Sequence, residues 1–137
     1  MIKALIDTNI IIDIALQREP FYLDAIQVFN KINEQKISAF ISASAITDIF
    51  YILKKSNGKD KTLAFLKELL DVVDVASVNK SNILQALYSG WNDFEDAVQA
   101  QVAIENGFEI IITRNPHDYR NSQTLQVLTP HDFTVQF

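Results

Sequence analysis

Four aspartates stand where apolar segments end or turn. Asp7 closes the run Ile2-Lys3-Ala4-Leu5-Ile6, Asp48 interrupts Ile46-Thr47-Asp48-Ile49-Phe50, and Asp93 and Asp96 open Asp93-Phe94-Glu95-Asp96-Ala97-Val98 one helical turn apart. Carboxylates brought into one site repel each other and need positive charge to hold them there. A divalent cation supplies it. Oxygen ligands without sulfur and with scant imidazole select Mg²⁺ or Mn²⁺. The chain has no cysteine, and its two histidines, His117 and His131, are too few and scattered for a zinc site.

Each acid also has a purely structural reading. Asp7-Thr8-Asn9 follows a strand and opens a helix, where Asp and Thr are good N-caps worth about 1 kcal/mol; the other reading is a metal ligand at a sheet end. Asp93 can cap its helix with Asp96 reaching back as in a capping box, and acids in a first turn suit the helix dipole. The same spacing puts both carboxylates on one face, free to point at one ion. Asp48 is harder to explain locally. Ile46, Phe50 and Leu53 form a stripe that Ala45, Ile49 and Ile52 widen nearly round the helix, so an unpartnered charge is expected to be costly there and a cation to relieve it. Glu95 is expected to point elsewhere, into solvent.

The elements that must position these acids follow from periodicity and punctuation. Residues 2–6 read as a buried strand and 9–16 as a helix. Pro20 favours the first turn of a second helix, which runs to about residue 35 with Phe21, Ala25, Val28, Phe29 and Ile32 recurring at helical spacing. Residues 37–41 form a second strand. Ser42 and Ser44 offer caps for a helix that Ser56-Asn57-Gly58 stops. Further helices are expected over 60–70, 81–88 and 93–105, and strands over 72–75, 109–113 and 125–128. Thr129-Pro130-His131-Asp132 looks like one more helix cap, with no chemistry assigned to His131. Alternating strands and helices predict an α/β fold: a three-layer α/β/α sandwich around a mostly parallel sheet. Ligands in such folds bind beyond the carboxyl ends of the strands, where Asp7 and Thr113-Arg114-Asn115 both fall.

Composition bounds the function. The 137 residues are 48% hydrophobic, which excludes disorder and predicts a single domain over residues 1–137. No apolar run is long enough to span a membrane, and the first residues lack the layout of a signal peptide, so a cytoplasmic location is expected. A net charge of −5 argues against a protein that coats nucleic acid. It does not exclude a nuclease, since part of that charge would belong to a metal site. Basic residues cluster at Lys54, Lys55, Lys59 and Lys61, and at Arg114 and Arg120. Solvated loops are one reading; phosphate contacts are the other, with Arg114 the candidate and Lys54 and Lys55 weaker ones.

In order, Leu5-Ile6-Asp7-Thr8-Asn9, then Asp48 in a helix after the second strand, then Asp93-Phe94-Glu95-Asp96-Ala97, then Ile112-Thr113-Arg114-Asn115 resembles the PIN-domain family, and most of all its single-domain bacterial members related to VapC toxins. The similarity spans essentially the whole chain. It implies a Rossmann-like fold, a Mg²⁺- or Mn²⁺-dependent ribonuclease acting on RNA, an antitoxin protein as partner and a homodimer. Asp7 and Asp96 match the first and third family acids, and Asp93 the extra acid one turn earlier in some members. Asp48 stands where glutamate is commoner, and Asn115 where many members carry aspartate. Asn115 brings an oxygen but no charge, which leaves open whether Asp118 compensates. Thr8, Asn9 and Thr113 would orient ligands or waters. Exposed aromatics near Phe21-Tyr22 could serve a partner.

Two rivals remain at this point. A receiver-like or dehalogenase-like phosphoryl-transfer domain also keeps acids at strand ends. The first wants paired acids after one strand and a late lysine, the second an aspartate where Asn9 stands. A PIN-like module that binds RNA or protein without cleaving is the alternative that Asn115 keeps open.

Overall fold

The structure, a computed structural model, describes residues 1–35, 37–119 and 124–137. In chain order these form β1 (Lys3–Ile6), α1 (Thr8–Ala15), α2 (Tyr22–Gln35), β2 (Ser38–Ser42), α3 (Ala43–Asn57), α4 (Lys59–Leu70), β3 (Asp74–Ala76), α5 (Lys80–Tyr88), α6 (Phe94–Glu105), β4 (Ile110–Ile112), β5 (Gln126–Leu128) and α7 (Pro130–Gln136). The strands pair in the order β3-β2-β1-β4-β5, all parallel. Parallel strands need helical crossovers that cover both faces, and the period-two alternation of side chains splits the interior into two cores.

Ala4, Ile6, Ala39, Ile41, Ile110, Ile112 and Leu128 face one side, against α1 to α4 and α7. Leu5, Phe40, Ile111 and Val127 face the other, against α5 and α6. The second layer lies close because Ala97, Ala100 and Ala103 give α6 a thin buried face. The three-layer α/β/α arrangement is therefore the one the sequence predicts. No described helix is long and apolar enough to cross a membrane.

Local differences from the expected elements have local causes. β3 starts at Asp74 because the N–H groups of Val72 and Val73 both donate to Leu69 O, closing α4 instead of joining the sheet. Pro20 does not open α2; the helix begins at Tyr22, after the N–H groups of Phe21 and Tyr22 have turned back to Arg18 O. A 3-10 turn over Pro116–Tyr119, not anticipated, follows β4. Gly58 sits at φ +80° between α3 and α4, a left-handed conformation that glycine adopts without penalty. Thr129 caps α7, its side chain accepting from the Asp132 N–H, as expected.

Candidate active site

β1 and β4 are neighbours whose connections leave in opposite directions, which makes the gap beyond their carboxyl ends the switch point of the sheet. The pairing of Ile6 with Ile112 carries the next residues, Asp7 and Thr113, into contact there. Thr113 Oγ1 donates to Asp7 Oδ2 at 2.7 Å and itself accepts the Asn115 N–H at 3.1 Å. Asp7 occupies the N-cap position of α1 but makes no side-chain cap bond; its carboxylate is buried and turned toward α6. There the Gln99 Nε2 donates to Asp7 Oδ1 at 3.1 Å and to Tyr119 Oη at 3.1 Å, and the Tyr119 hydroxyl donates to Asp96 Oδ1 at 3.1 Å.

Above this buried layer lies a cavity of about 470 Å³ lined by Asp7, Thr8, Asn9, Asp48, Tyr51, Ile52, Asp93, Glu95, Asp96, Asn115 and Asp118. Asp93 is both cap and wall: its Oδ1 accepts the Asp96 N–H at 2.9 Å, while Asp96 turns its own side chain to Tyr119 instead of completing a capping box. Glu95, expected in solvent, is half-buried in the cavity and accepts from Thr8 Oγ1 at 3.0 Å. That bond joins the first turn of α1 to the first turn of α6. Asp48 also departs from the burial expected of it. The buried stripe of α3 is Ala45, Ile49 and Leu53, while Asp48, Tyr51 and Ile52 are exposed on the cavity side. Position in the wall, not desolvation, marks Asp48.

Crowding shows in the proton affinities. Burial, then the charges of Asp7 and Asp93, push the Asp96 carboxyl up to about 7 against a single lowering contact from Tyr119. Burial raises Asp7, with the Gln99 and Thr113 hydrogen bonds opposing it. Glu95 is raised by burial and by Asp48, Asp7 and Asp93, with Thr8 opposing. Burial, then the neighbouring acids Asp7 and Asp96, push the Tyr119 hydroxyl far above its ordinary range, so it remains a donor at every physiological pH.

This cavity fits a hard divalent cation by chemistry: six carboxylates, the amide oxygens of Asn9 and Asn115 and no imidazole or sulfur ligand line it. Among the described residues no three acidic or imidazole side chains stand close enough to enclose an ion directly. An ion here would keep water between itself and part of the wall, as Mg²⁺ commonly does.

Arg114 is not in the cavity. Thr113 and Arg114 alternate across the sheet, so when Thr113 faces Asp7 the next side chain emerges on the α1–α2 side. Arg114 Nε lies 2.9 Å from Asp13 Oδ2, off the direction of a hydrogen bond, and its guanidinium stacks over Phe21 at 4.0 Å. The aromatic offered for a partner is thus covered in part by Arg114. Asp13, which carries no motif, is wholly buried; burial raises its proton affinity while Arg114 and Arg18 lower it. Asp13→Ala would leave Arg114 facing apolar surface, and is expected to lower unfolding stability in urea by about 3 kcal/mol. A loss below roughly 1 kcal/mol, the range of an exposed pair, would show that the contact is incidental. Lys54 and Lys55 are exposed at the end of α3, Lys54 5.9 Å from the Phe50 ring and Lys55 on the helical face that carries Asp48 and Ile52. Arg120 lies outside the described residues.

Gln99 and Tyr119 are the functional candidates that the motifs do not point to. Gln99 had a signal: it is a polar residue inside an Ala/Val run, three residues after Asp96 on the same helical face. Nothing local distinguishes Tyr119.

A parallel α/β domain with acids from β1, α3 and α6 around the switch point is the class of protein that fold and site define. The family model for the PIN domain matches residues 3–117, and the chain belongs to that family. Ribonuclease VapC1 of Aquifex aeolicus is 26% identical over 136 residues, covering 96% of this chain and 92% of that protein. VapBC-1 from nontypeable Haemophilus influenzae matches the fold with TM-score 0.72 at 18% identity, over 96% of this chain and 99% of that one. A toxin-antitoxin complex from Klebsiella pneumoniae matches with TM-score 0.68 at 23% identity, over 93% and 97%.

Proposed function

We infer that this protein is an endoribonuclease that hydrolyses RNA phosphodiester bonds with Mg²⁺ or Mn²⁺, acting as the toxin of a toxin–antitoxin pair. One observation carries the reading: carboxylates from β1, α3 and α6, far apart in sequence, line one cavity at the sheet switch point. The likeness to a ribonuclease over nearly the whole of both chains, and to a toxin-antitoxin complex, supports the RNA substrate and the antitoxin partner. Homodimer formation is part of the same reading.

Asp7, Asp96 and Asp48 would hold the ion directly or through water, with Asp93 assisting. When bound, the ion would lower the pKa of water and neutralise charge growing on the phosphate oxygens. The chain's own groups do the rest. Thr113 and Gln99 orient Asp7 and favour its charged form against the effect of burial. Thr8, Asn9 and Asn115 offer hydrogen bonds that orient water, and Asp118 supplies charge that Asn115 lacks. Asp93, its Oδ1 tied to the helix, would take the attacking water's proton on Oδ2 as the water oxygen joins phosphorus and the bond from phosphorus to the leaving ribose oxygen breaks, that oxygen taking a proton from solvent. Tyr51 and Ile52 offer an apolar wall for a sugar or base. Lys55 and Lys54 extend along the path of the strand.

Lys54→Ala with Lys55→Ala is expected to raise KM several-fold and leave kcat unchanged, with the difference shrinking in 0.5 M salt as screening predicts. An unchanged KM at low salt would remove the lysines from the RNA path. The deciding experiment for the reading is incubation of a mixed structured RNA pool with Mn²⁺, Mg²⁺ or EDTA. Cuts that need metal support it; no cuts in any metal, together with no Mn²⁺ binding by calorimetry, favour a binding module. That second reading draws on the neutral Asn115 and on the lack, among the described residues, of a ready-made acidic cage.

A further inference from the structure

Gln99 is wholly buried, and its Oε1 has no hydrogen-bond partner. A buried carbonyl without a donor is costly, and a leucine or methionine of similar volume would avoid the cost. The amide therefore has to be explained by its other end. Nε2 donates to Asp7 Oδ1 and to Tyr119 Oη, each at 3.1 Å. Reversing the amide would set its carbonyl against a carboxylate oxygen, so this orientation is the one the neighbours accept.

The direction of donation matters further on. Because Tyr119 Oη receives an N–H from Gln99, its own proton is directed to Asp96 Oδ1. Asp7 comes from β1 and Asp96 from α6, with like charge and no other bond between them. One amide thus gives each of the two acids a donor, to Asp7 directly and to Asp96 through the phenol.

We propose that Gln99 is a positioning residue of the active site, holding Asp7 directly and Asp96 by way of the Tyr119 hydroxyl in the arrangement that takes up a divalent ion. The inference rests on the metal-nuclease reading above. It separates metal uptake from folding: Gln99→Leu removes the orphaned carbonyl along with both donated bonds, so the relief of the one offsets in part the lost donor to Asp7, which keeps Thr113. Partners that orient metal ligands typically change affinity by about 10- to 100-fold when removed. Gln99→Leu should therefore weaken Mn²⁺ binding about tenfold or more. Tyr119→Phe should weaken it by a smaller factor, and should add little when combined with Gln99→Leu because both act on Asp96 through one chain. Gln99→Glu, an acceptor where a donor is needed, should lose most.

The test is titration calorimetry of Mn²⁺ into the wild type, Gln99→Leu, Tyr119→Phe and the double variant. Metal-free melting temperatures and cleavage kinetics at saturating metal accompany it. The proposal expects weaker Mn²⁺ binding, a metal-free protein that still melts cooperatively within a few degrees of the wild type, and lower kcat at unchanged KM. Gln99→Leu that binds Mn²⁺ as the wild type does, or a double variant whose losses multiply, overturns the inference alone. A wild type that binds no Mn²⁺ overturns the metal-nuclease reading and this inference with it. Should Gln99→Leu fail to fold, the absence of any Mn²⁺ effect in Tyr119→Phe still overturns the relay.

Discussion

Asp96→Asn is expected to cut metal-dependent RNA cleavage by roughly a hundred- to a thousand-fold, about 3–4 kcal/mol of transition-state stabilisation, while raising the melting temperature of the metal-free protein. The two effects have one cause. Asp96 faces Asp7, Asp93 and Asp118, all of which raise its proton affinity, and only Tyr119 favours its charge. Asparagine keeps the shape and can still accept the Tyr119 hydroxyl, so the helix end and the buried layer beneath it are retained. What disappears is one negative charge. Without metal that is relief; with metal it is loss of a ligand. Cleavage assays at matched Mn²⁺ and metal-free thermal melts check both parts. A variant that cleaves as well as the wild type, or whose metal-free protein melts lower, would remove Asp96 from the centre of the site.

Without metal, the protein is expected to be most stable in mild acid and to lose stability as pH rises from about 4 to about 7. The folded Asp96 carboxyl is raised from 3.8 to about 7. Across that window the unfolded chain has released a proton that the folded protein still holds, so each step up in pH favours unfolding. Asp7, Glu95 and Asp13 are raised as well and act with the same sign. Divalent metal competes with those protons, so its stabilisation should be larger at pH 8 than at pH 6. At a concentration 100-fold above Kd the gain is about 2.7 kcal/mol, or about 5–10 °C for a domain of this size. Calorimetric melts at pH 5, 6, 7 and 8 with and without Mg²⁺ or Mn²⁺ would read this. A metal-free melting temperature that climbs between pH 5 and 7, or a metal effect independent of pH, would contradict the crowding of carboxylates as the controlling term.

The acids themselves are legible in the sequence, because each breaks a local rule: a carboxylate closing a buried strand at Asp7, one within an apolar helix at Asp48, a pair a turn apart at Asp93 and Asp96. The element order is legible because short β-branched runs and helical stripes alternate, and the PIN-like order of motifs joins them. Even so, the apolar surroundings of Asp48 point to the right place for the wrong cause. Periodicity cannot say that Tyr51 and Ile52, apolar by composition, lie exposed beside it. Glu95 misleads for a similar reason. An angle around α6 assigns it to a face, but whether that face meets solvent or Thr8 depends on where α1 starts, a distance of 87 residues along the chain.

By itself, then, the sequence determined the α/β layering, the sheet edge at which the cavity lies and the four aspartates Asp7, Asp48, Asp93 and Asp96 that line it, since all of these follow from periods of two and 3.6 residues and from chemistry carried by single side chains. The tertiary structure alone decided which groups serve those acids. It joined Asp7 to Thr113 through strand register, sent Arg114 to Asp13 on the opposite face, and brought Gln99 and Tyr119 beneath the cavity. Those pairings depend on contacts between residues as much as 106 positions apart, and no local periodicity encodes which distant partner a buried donor will meet.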